Sequence, residues 1–473
     1  MTGPLDHKIF EVVATQAAKL KLKAFVIGGY VRDHFLQRES TDIDIVVEGS
    51  GIALAEAVAE VTHTNVTVFR NFGTAMLKYE GIELEFVGAR RESYRRNSRK
   101  PVVEEGTLED DQLRRDFTIN ALAFSLGKED YGTLIDPFGG IRDLDAGLIR
   151  TPADPDTTYS DDPLRMIRAI RFATQLGFKI VQESIDSIRR NAGRLDILAR
   201  ERIAEELHKI LMAEIPSTGL RLLDECALLP LILPAISNLK SVEMVNGCGH
   251  KDNFEHTLQV LDNVASAGGD LWLRWAALLH DVGKPATKKF EAGTGWTFHG
   301  HEYVGSKMVP GIFKQLKMPL NDKMKFVQKM VLLHLRPIAL VTEEVTDSAV
   351  RRLLFDAGDD IDDLMTLCRA DVTSKNEYKV KAIHRNFEIV EAKLIEVEAK
   401  DALRNFKNPI TGELIMEKYG LPPCATIGVI KDYIKNAILD GEIPNEFEAA
   451  YRLMESKAAE MGLEPKSQSF EKK

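Results

Sequence analysis

A glycine pair behind a short apolar run is the first pattern in this sequence that could do chemistry. Gly28 and Gly29 follow residues 24–27, whose composition predicts a strand that ends in a tight turn. Glycine has no Cβ, so main-chain N–H groups in such a turn can approach an anion closely. Arg32 and Asp33 follow in the same segment. The segment therefore indicates a binding site for phosphate.

Two carboxylates stand on the next apolar run. Asp42 and Asp44 belong to residues 42–47, which predict a strand, and the alternation of side chains along a strand puts both on one face. A third acid commonly completes such a cage from a neighbouring strand, and Glu83 and Glu85 are equal candidates for it. Carboxylates grouped in this way bind Mg²⁺. Together with the phosphate site, they indicate phosphoryl or nucleotidyl transfer.

Strands and helices alternate around these residues in the first part of the chain. Apolar runs predict strands at residues 24–27, 43–47, 66–69, 75–79 and 82–87, and helices at 10–20 and 51–62. We therefore expect a mixed sheet with helices, an α+β domain, over residues 1–150.

Beyond about residue 160, the spacing of apolar residues becomes helical. It predicts helices at residues 163–175, 182–191, 201–212 and 218–226, with Gly177 and Gly193 as helix ends. Residues 246–400 continue as an all-helical segment. One further helix pair is predicted near residues 426–439 and 446–461, followed by a charged, disordered tail at 465–473.

The composition is that of an ordinary globular protein, with 44% hydrophobic and 28% charged residues. A net charge of −10 argues against a protein that coats nucleic acid non-specifically. Basic residues are nevertheless concentrated locally, and basic patches on an acidic body suit a compact polyanion such as a tRNA or a nucleotide. These patches are residues 90–100, Arg114, Arg115, Arg165, Arg168 and Arg171.

The four cysteines lie far apart and form no CxxC pair, which favours a reducing cytoplasm over a disulfide-bonded protein. No apolar run approaches the ~20 residues needed to span a bilayer. The first residues have neither the basic nor the apolar segment of a signal peptide. We therefore expect a cytoplasmic protein with no membrane partner.

Residues 114–121 read Arg-Arg-Asp-Phe-Thr-Ile-Asn-Ala. Together with the Gly-Gly-x-Val-Arg-Asp and Asp-x-Asp patterns above, this segment resembles the class II tRNA nucleotidyltransferases and bacterial poly(A) polymerases. The resemblance implies that Arg115, Asp116 and Asn120 position the sugar and the triphosphate of a bound nucleotide.

The resemblance also favours one of the two candidates for the third acid. The family has an arginine after this acid with four residues between them, and here Arg90 stands in that relation to Glu85. The two threonines that the family usually has in between are replaced by Val87 and Gly88. Glu83 therefore stays the alternative.

Residues 161–165 resemble a later motif of the same family, Glu-Asp-x-x-Arg, at the start of a neck helix. A four-residue spacing predicts Asp161 and Arg165 on one helix face, with Asp162 adjacent; both acids are also candidate helix caps. A carboxylate that accepts and a guanidinium that donates can imitate the pairing edge of a base. By resemblance, Asp162 and Arg165 accept CTP and ATP and reject GTP and UTP. Arg202 belongs to the following neck motif, with a supporting role.

A second set of metal-ligand residues lies in the helical part. Its histidines and aspartates follow the order of the HD-domain phosphohydrolases, and residues 276–285 resemble the segment that carries their His-Asp pair. The resemblance implies a transition metal such as Ni, Mn or Fe. The expected ligands of the first metal are His256, His280, Asp281 and Asp371, and His301 and His334 are candidates for a second.

These resemblances imply an enzyme that adds CCA to the 3′ end of tRNA from CTP and ATP, acting as a monomer or a homodimer, with HD-type phosphohydrolase activity in addition. Poly(A) synthesis, or addition of only CC or only A, is the alternative within the family. A protein that is chiefly an HD phosphohydrolase is the alternative outside it. The expected domains are a nucleotidyltransferase domain at residues 1–150, an all-α neck at 151–245, an HD domain at 246–400 and C-terminal helices at 401–473.

Overall fold

The computed structural model describes residues 3–95, 98–240, 244–245, 248–249, 252–342, 346–373, 376–401 and 407–466. The chain forms two compact units, residues 1–237 with 315–318 and residues 238–314 with 319–473. Most side chains of the basic stretch at 90–100, and the charged tail from residue 467 onward, lie outside the described part. The four-domain division stays a prediction.

Among its described residues, the first unit contains the five predicted strands and six further ones. They are β1 (Lys23–Ile27), β2 (Asp42–Glu48), β3 (Val66–Phe69), β4 (Thr74–Tyr79), β5 (Ile82–Gly88), β6 (Arg90–Arg95), β7 (Ser98–Glu105), β8 (Ala123–Ser125), β9 (Leu134–Ile135), β10 (Leu148–Ile149) and β11 (Lys179–Ile180). The first five correspond to the predicted strands, each within one residue at either end.

A seven-stranded sheet organises this unit, in the order β3-β4-β5-β2-β1-β8-β9. Strands β2 and β5 run parallel, and the other neighbouring pairs run antiparallel. The expected mixed sheet is thereby confirmed. Because β2 and β5 lie side by side at its centre, residues of the two acidic segments are direct neighbours.

The helices of the first unit are α1 (Lys8–Lys19), α2 (Gly29–Phe35), α3 (Gly51–Thr62), α4 (Leu108–Leu113), α5 (Gly140–Ala146), α6 (Pro155–Asp161), α7 (Leu164–Leu176), α8 (Gln182–Asn191), α9 (Arg200–Leu211), α10 (Pro216–Glu225), α11 (Leu229–Ile232) and α12 (Pro234–Ser237). Helices α1 and α3 lie against one face of the sheet. The side chains on that face are fully buried, including Ile43, Ile45, Leu84 and Phe86.

The neck helices follow the predicted pattern with one exception. Helix α7 ends at Gly177, which has a φ of 72° in the left-handed region that favours glycine. Gly193 was predicted to end a helix in the same way, and that prediction is wrong. Helix α8 stops at Asn191, and Gly193 lies inside a 3₁₀ segment, Ala192–Ile197, that continues the chain in a tighter coil.

The second unit is mainly helical. Its helices are α13 (Asn253–Ser266), α14 (Leu271–Leu279), α15 (Lys284–Thr287), α16 (His301–Gln315), α17 (Asp322–Leu333), α18 (Arg336–Thr342), α19 (Asp347–Ala357), α20 (Ile361–Asp371), α21 (Glu377–Asp401), α22 (Gly412–Tyr419), α23 (Ala425–Asp440) and α24 (Phe447–Glu460). Its strands are β12 (Met244–Val245), β13 (Cys248–Gly249), β14 (Lys289–Glu291) and β15 (Gly295–Thr297).

Two expectations for this unit are corrected. The all-helical segment contains a hairpin of β14 and β15, and its turn needs the positive φ of Gly293, 91°. The C-terminal part has α22 in addition to the predicted pair α23 and α24, and the three helices share one apolar core. Within the described ranges, no helix has both the length and the apolar composition to cross a bilayer.

Candidate active site and metal centre

The central strands place the acidic residues in two adjacent rows on one face of the sheet. Asp44 stands opposite Glu85 in the parallel pairing of β2 and β5, and Asp42 stands opposite Glu83. Glu83 is engaged by Lys78, whose Nζ lies 2.9 Å from its Oε2. Glu85 instead lines a pocket together with Asp44. The geometry therefore favours Glu85 over Glu83 as the third carboxylate.

Arg115 beside Asp44 and Arg90 beside Glu85 offset the burial of these two carboxylates only in part. Burial raises the pKa of Asp44, which Arg115 opposes and Asp42 reinforces. Burial and the charge of Asp44 likewise raise the pKa of Glu85. Arg115 Nη1 lies 3.8 Å from Asp44 Oδ2. A divalent cation between these carboxylates would favour their charged forms, so the donor set fits Mg²⁺.

The glycine turn brings β1, Asp44 and Arg115 together. Gly28 has a φ of 85°, and a Cβ there would lie 2.7 Å from Arg115 Nη1 and 3.0 Å from Asp44 Oδ2. Only glycine leaves room for both side chains. The Gly28 N–H donates to the carbonyl of Leu122 at 3.2 Å. This amide was predicted to bind phosphate, and that part of the prediction is wrong. Gly29 begins α2.

A hydrogen-bond network continues from the turn. Arg32 forms two bonds of 2.9 Å with Asp33 and donates at 2.7 Å to Asn120. Asn120 donates at 3.0 Å to Asp116. Arg168 on α7 donates at 2.8 Å to the other oxygen of Asp116. Although burial opposes it, Arg168 and Asn120 lower the pKa of Asp116 to about 2. Hydrogen bonds thus connect Arg32, Asp33, Asn120, Asp116 and Arg168 into one network.

A buried aspartate orients the two arginines of residues 114–121. Asp111 is fully buried and accepts from the Nε of Arg114 at 2.9 Å and from the Nε of Arg115 at 3.3 Å. Arg165 on α7 donates at 2.6 Å to the Arg114 carbonyl. Arg165 is thereby fixed against the segment that carries Arg114 and Arg115.

The prediction that Asp161 and Arg165 share a helix face is wrong. Asp161 is the last residue of α6, and Asp162 is extended with φ −130° and ψ 97°. The reason is Pro163, which disfavours helical backbone in the residue before it. Asp162 Oδ1 accepts from the N–H of Leu164 at 3.2 Å, so the predicted capping role falls to Asp162. Asp162 and Arg165 line the pocket.

The pocket has a volume of about 320 Å³ and combines six arginines with four carboxylates. Its size and charge suit a triphosphate held beside a metal-binding carboxylate pair. Asp42 is exposed on the same sheet face, outside this lining. The lining residues are Asp44, Val46, Glu85, Val87, Arg90, Arg114, Arg115, Asp116, Asp162, Leu164, Arg165, Arg168 and Arg202.

The predicted HD ligands converge at a second, separate place in the second unit. His256, His280 and Asp371 could share one ion, and Asp281, His301 and His334 could share another. Asp281 connects the two groups. Its Oδ2 lies 3.2 Å from His280 Nε2, and its Oδ1 lies 3.2 Å from His301 Nε2 and 3.9 Å from His334 Nε2.

Three of the four imidazoles are oriented by main-chain carbonyls. Nδ1 of His280, His301 and His334 lies 2.7 to 2.8 Å from the carbonyl oxygen of Ala277, Phe298 and Val331, respectively. A carbonyl only accepts, so each Nδ1 carries the proton, and Nε2 faces the cluster. The fourth, His256, contacts the Thr373 hydroxyl at 2.8 Å through Nδ1.

The buried imidazole nitrogens and carboxylates of this cluster are the donor types that transition metals prefer. Nε2 of His280, His301 and His334 is buried and faces the carboxylate of Asp281. Burial and the charge of His280 lower the pKa of His334 to about 4, which keeps this imidazole neutral. Against burial, Asp281 and Asp371 raise the pKa of His280 to about 10, and a bound cation would replace that proton.

Sequence reasoning missed two residues of the first site. Arg168 was placed only in a basic patch, and Asp111 was not singled out. The signal for Asp111 was its spacing, three and four residues before Arg114 and Arg115 on a helix that begins at Leu108. The signal for Arg168 was its position, one helical turn after Arg165 on α7.

Comparison with known proteins matches three successive parts of the chain to family models. Residues 24–150 match the poly A polymerase head domain, residues 177–240 match a probable RNA and SrmB-binding site of polymerase A, and residues 253–375 match the HD domain. The head-domain match contains the acidic rows and the glycine turn. The HD match contains both histidine groups.

Individual relatives match as well, over different lengths. The chain is 46% identical over 188 residues to an A-adding tRNA nucleotidyltransferase of Aquifex aeolicus, covering 39% of this chain but only 23% of that protein. It is 31% identical to one of Deinococcus radiodurans, covering 72% of this chain and 78% of the relative. It is 35% identical to the multifunctional CCA protein of Stenotrophomonas maltophilia, covering 70% and 80%.

A solved structure agrees with these matches. A crystal structure of a tRNA nucleotidyltransferase, complexed with a primer tRNA and an incoming ATP analogue, aligns with a TM-score of 0.57 at 26% identity. The alignment covers 80% of this chain and 98% of that one. Since two relatives above 30% identity are covered over more than two thirds of their length, this chain belongs to the tRNA nucleotidyltransferase family and carries an HD domain.

Proposed function

We propose that this protein adds nucleotides to the 3′ end of tRNA without a template, building CCA from CTP and ATP. The terminal 3′ oxygen of the RNA attacks the α-phosphorus of the nucleotide, and pyrophosphate leaves. Relatives of the chain are named both A-adding enzymes and multifunctional CCA proteins. The observation that carries the proposal is the row of Asp44 and Glu85 at the wall of an arginine-lined pocket.

The residues of the pocket divide the work. Asp42, Asp44 and Glu85 would hold Mg²⁺, which when bound would acidify the attacking hydroxyl and neutralise charge on the triphosphate. Arg115 is held by Asp111 beside the carboxylates, where it would bind phosphate oxygens. Asp116 and Asn120 would fix the ribose. Gly28 keeps the turn open, and Arg32 with Asp33 holds Asn120 in place.

Base selection is proposed for Asp162 and Arg165. A carboxylate accepts from the exocyclic amine of cytosine or adenine, and a guanidinium donates to the neighbouring ring nitrogen. Guanine and uracil present a carbonyl where the amine is needed. Arg202 lines the same pocket and would add a positive charge.

One assay separates the family's alternatives. Labelled tRNA ending at the discriminator base, and the same tRNA ending in CC, are incubated with CTP and ATP separately and together. Three added nucleotides on the first substrate support CCA synthesis. Two added nucleotides on the first substrate support CC addition. One nucleotide, added only to the tRNA that ends in CC, supports A addition, and a long tract of A supports poly(A) synthesis. No extension of either RNA would contradict the proposal.

We also propose a phosphohydrolase activity at the histidine cluster. The observation that favours it is the set of three buried Nε2 atoms, of His280, His301 and His334, that converge on the carboxylate of Asp281, with Asp371 beside His280. Ni, Mn or Fe would provide Lewis acidity there when bound. Lys284, 2.5 Å from Asp281 Oδ2, adds a cation that could bind a phosphate oxygen once the metal takes over Asp281.

Hydrolysis of 2′,3′-cyclic AMP and of p-nitrophenyl phosphate by protein loaded with each metal tests this second activity. Turnover of either substrate supports it. A loaded protein that extends tRNA and hydrolyses neither substrate would leave the cluster with a structural role. We further propose that the protein acts on tRNA in the cytoplasm, as a monomer or a homodimer.

A further inference from the structure

A strip of side chains leads from the catalytic carboxylates to the free edge of the sheet. Glu85 stands opposite Met76 of β4, and Met76 stands opposite Thr67 of β3. Side chains in one row of paired residues lie on one face, so Asp44, Glu85, Met76 and Thr67 follow each other across the sheet. Phe69, two residues after Thr67, extends the same face. We call Thr67, Phe69 and Met76 the edge strip.

The nucleotide-binding groups lie on the other side of the carboxylates. Arg115 approaches Gly28, which follows β1, and β1 neighbours β2 on the side away from β5. Arg165 is bonded to the same arginine segment. A phosphoryl transfer proceeds with the attacking and leaving oxygens roughly in line. If the triphosphate lies toward β1, the attacking RNA end must come from the side of β5, β4 and β3.

The edge strip has the reach and the chemistry for one nucleotide. Neighbouring strands are about 4.8 Å apart, so Met76 lies one strand and Thr67 two strands beyond Glu85. Phe69 is 43% exposed, and Met76 is half-buried. An exposed aromatic ring on a nucleic-acid enzyme offers a stacking surface that accepts any base. Single exposed aromatics are common, but this one shares its sheet face with the catalytic row.

We propose that the terminal base of the RNA substrate stacks on the edge strip, chiefly on Phe69, and so directs its 3′ oxygen to Asp44 and Glu85. This rests on nucleotidyl transfer as proposed above. The base is not read, because the strip offers no fixed donor or acceptor pair beyond the Thr67 hydroxyl. The growing end can therefore change from the discriminator base to C without losing its contact.

The test measures KM for RNA and KM for the nucleotide separately in Phe69→Ala, Phe69→Trp and the wild type. Leu20→Ala is the matched control, because Leu20 is 42% exposed at the end of α1, which packs on the opposite face. Phe69→Ala should raise the RNA KM by roughly tenfold, the loss of one base–aromatic stack, and leave the nucleotide KM unchanged. Phe69→Trp should have an RNA KM close to that of the wild type, because the indole ring can also stack on a base.

A second substrate makes the assignment specific. An RNA whose 3′-terminal nucleotide lacks its base should already show the raised KM with the wild type, and Phe69→Ala should add nothing further. An equal effect of Phe69→Ala on both RNAs, or an effect no larger than that of Leu20→Ala, would overturn the stacking assignment while transfer stands. A change of oligomeric state in Phe69→Ala would assign the strip to a protein contact instead. A wild type that extends no RNA would overturn both proposals.

Discussion

Asp44 and Glu85 are direct neighbours across the parallel pair of strands β2 and β5, whereas Glu83, two residues earlier, pairs with Lys78. The two glutamates share a strand, a sheet face and a length of side chain. They differ in their neighbours and in their access to the arginine-lined pocket. This difference is enough to separate a metal ligand from a surface residue by experiment.

Glu85→Gln should lower nucleotide incorporation by about a thousandfold or more, because a metal ligand contributes several kcal/mol to the transition state. Glu83→Gln is the matched control and should lower it less than about threefold, since an exposed ion pair contributes about 1 kcal/mol at most. Rates of CMP and AMP addition to tRNA provide the measurement. Equal losses in both variants would remove the assignment of Glu85.

Gly28→Ala should lower the rate of nucleotide incorporation by about a hundredfold, because a Cβ would displace Arg115 or Asp44 from its position. Gly81→Ala serves as the control: its φ is 86°, against 85° for Gly28, but in the described part of the chain no atom beyond its two sequence neighbours lies within 4 Å of its Cβ position. Both variants should lose about 1–2 kcal/mol in the free energy of unfolding from backbone strain. Urea unfolding and the incorporation assay together separate strain from steric contact. An active Gly28→Ala would refute the argument.

Replacing Asp162 and Arg165 together by alanine should remove the preference for CTP and ATP over GTP and UTP. Hydrogen bonds to charged groups contribute about 1.5–3 kcal/mol, so discrimination should fall by roughly ten- to a hundredfold. Asp161→Ala is the control, because Asp161 ends α6 and does not line the pocket. Incorporation of each of the four nucleotides is compared. Retained selectivity in the double variant contradicts the prediction.

Arg168→Met should destabilise the first unit by about 2 kcal/mol at pH 7, because it removes a charged partner from a buried carboxylate. The pKa of Asp116 is about 2 in the folded protein, below the unfolded value of about 3.9. A lowered acid pKa stabilises the fold above the unfolded pKa, and this contribution disappears as the pH falls through the folded pKa. The gap between wild type and variant should therefore be constant above about pH 5 and shrink between about pH 4 and 2.

Urea unfolding of both proteins across this range measures that gap. Arg189→Met is the control, since the Arg189–Asp186 pair is 42% and 46% exposed and should contribute less than about 1 kcal/mol. A gap that widens as the solution is acidified would contradict the assigned direction.

His280→Ala should lower the content of bound transition metal, because it removes a ligand at the centre of the cluster. His299→Ala should retain the metal, since His299 belongs to neither ligand group although it lies two residues from His301. Elemental analysis after dialysis gives the stoichiometry. A chelator should lower the Tm of the wild type and of His299→Ala more than that of His280→Ala. Equal metal content in both variants would exclude the predicted site.

Much of the fold was predictable because alternation and helical spacing are local. The core strands and the neck helices were placed within about two residues, and the mixed sheet followed from them. The start of α7 was predicted at Pro163, but α6 was missed, and the four-residue spacing of Asp161 and Arg165 was wrongly assigned to one helix face. The hairpin of β14 and β15 was missed because its strands have only three residues each.

The candidate sites were predictable as residue lists but not as groupings. The sequence could not show that Asp281 joins His301 and His334 while also contacting His280, since these residues are brought together only by the packing of separate helices. It could not decide between Glu83 and Glu85 without the register of two strands. Nor could it show that Arg168, one turn beyond Arg165, would donate to Asp116.

Three imidazoles of the cluster are oriented by hydrogen bonds from Nδ1 to main-chain carbonyl oxygens. A side-chain mutation does not remove a main-chain carbonyl. Such a centre tolerates drift in the surrounding side chains, because no neighbouring residue has to be retained for the rings to keep their tautomer. Exchange of one ligand type for another would change which ion is preferred while the remaining rings stay aimed at the same point. If the proposed metal binds there, its preference could thus be altered one ligand residue at a time.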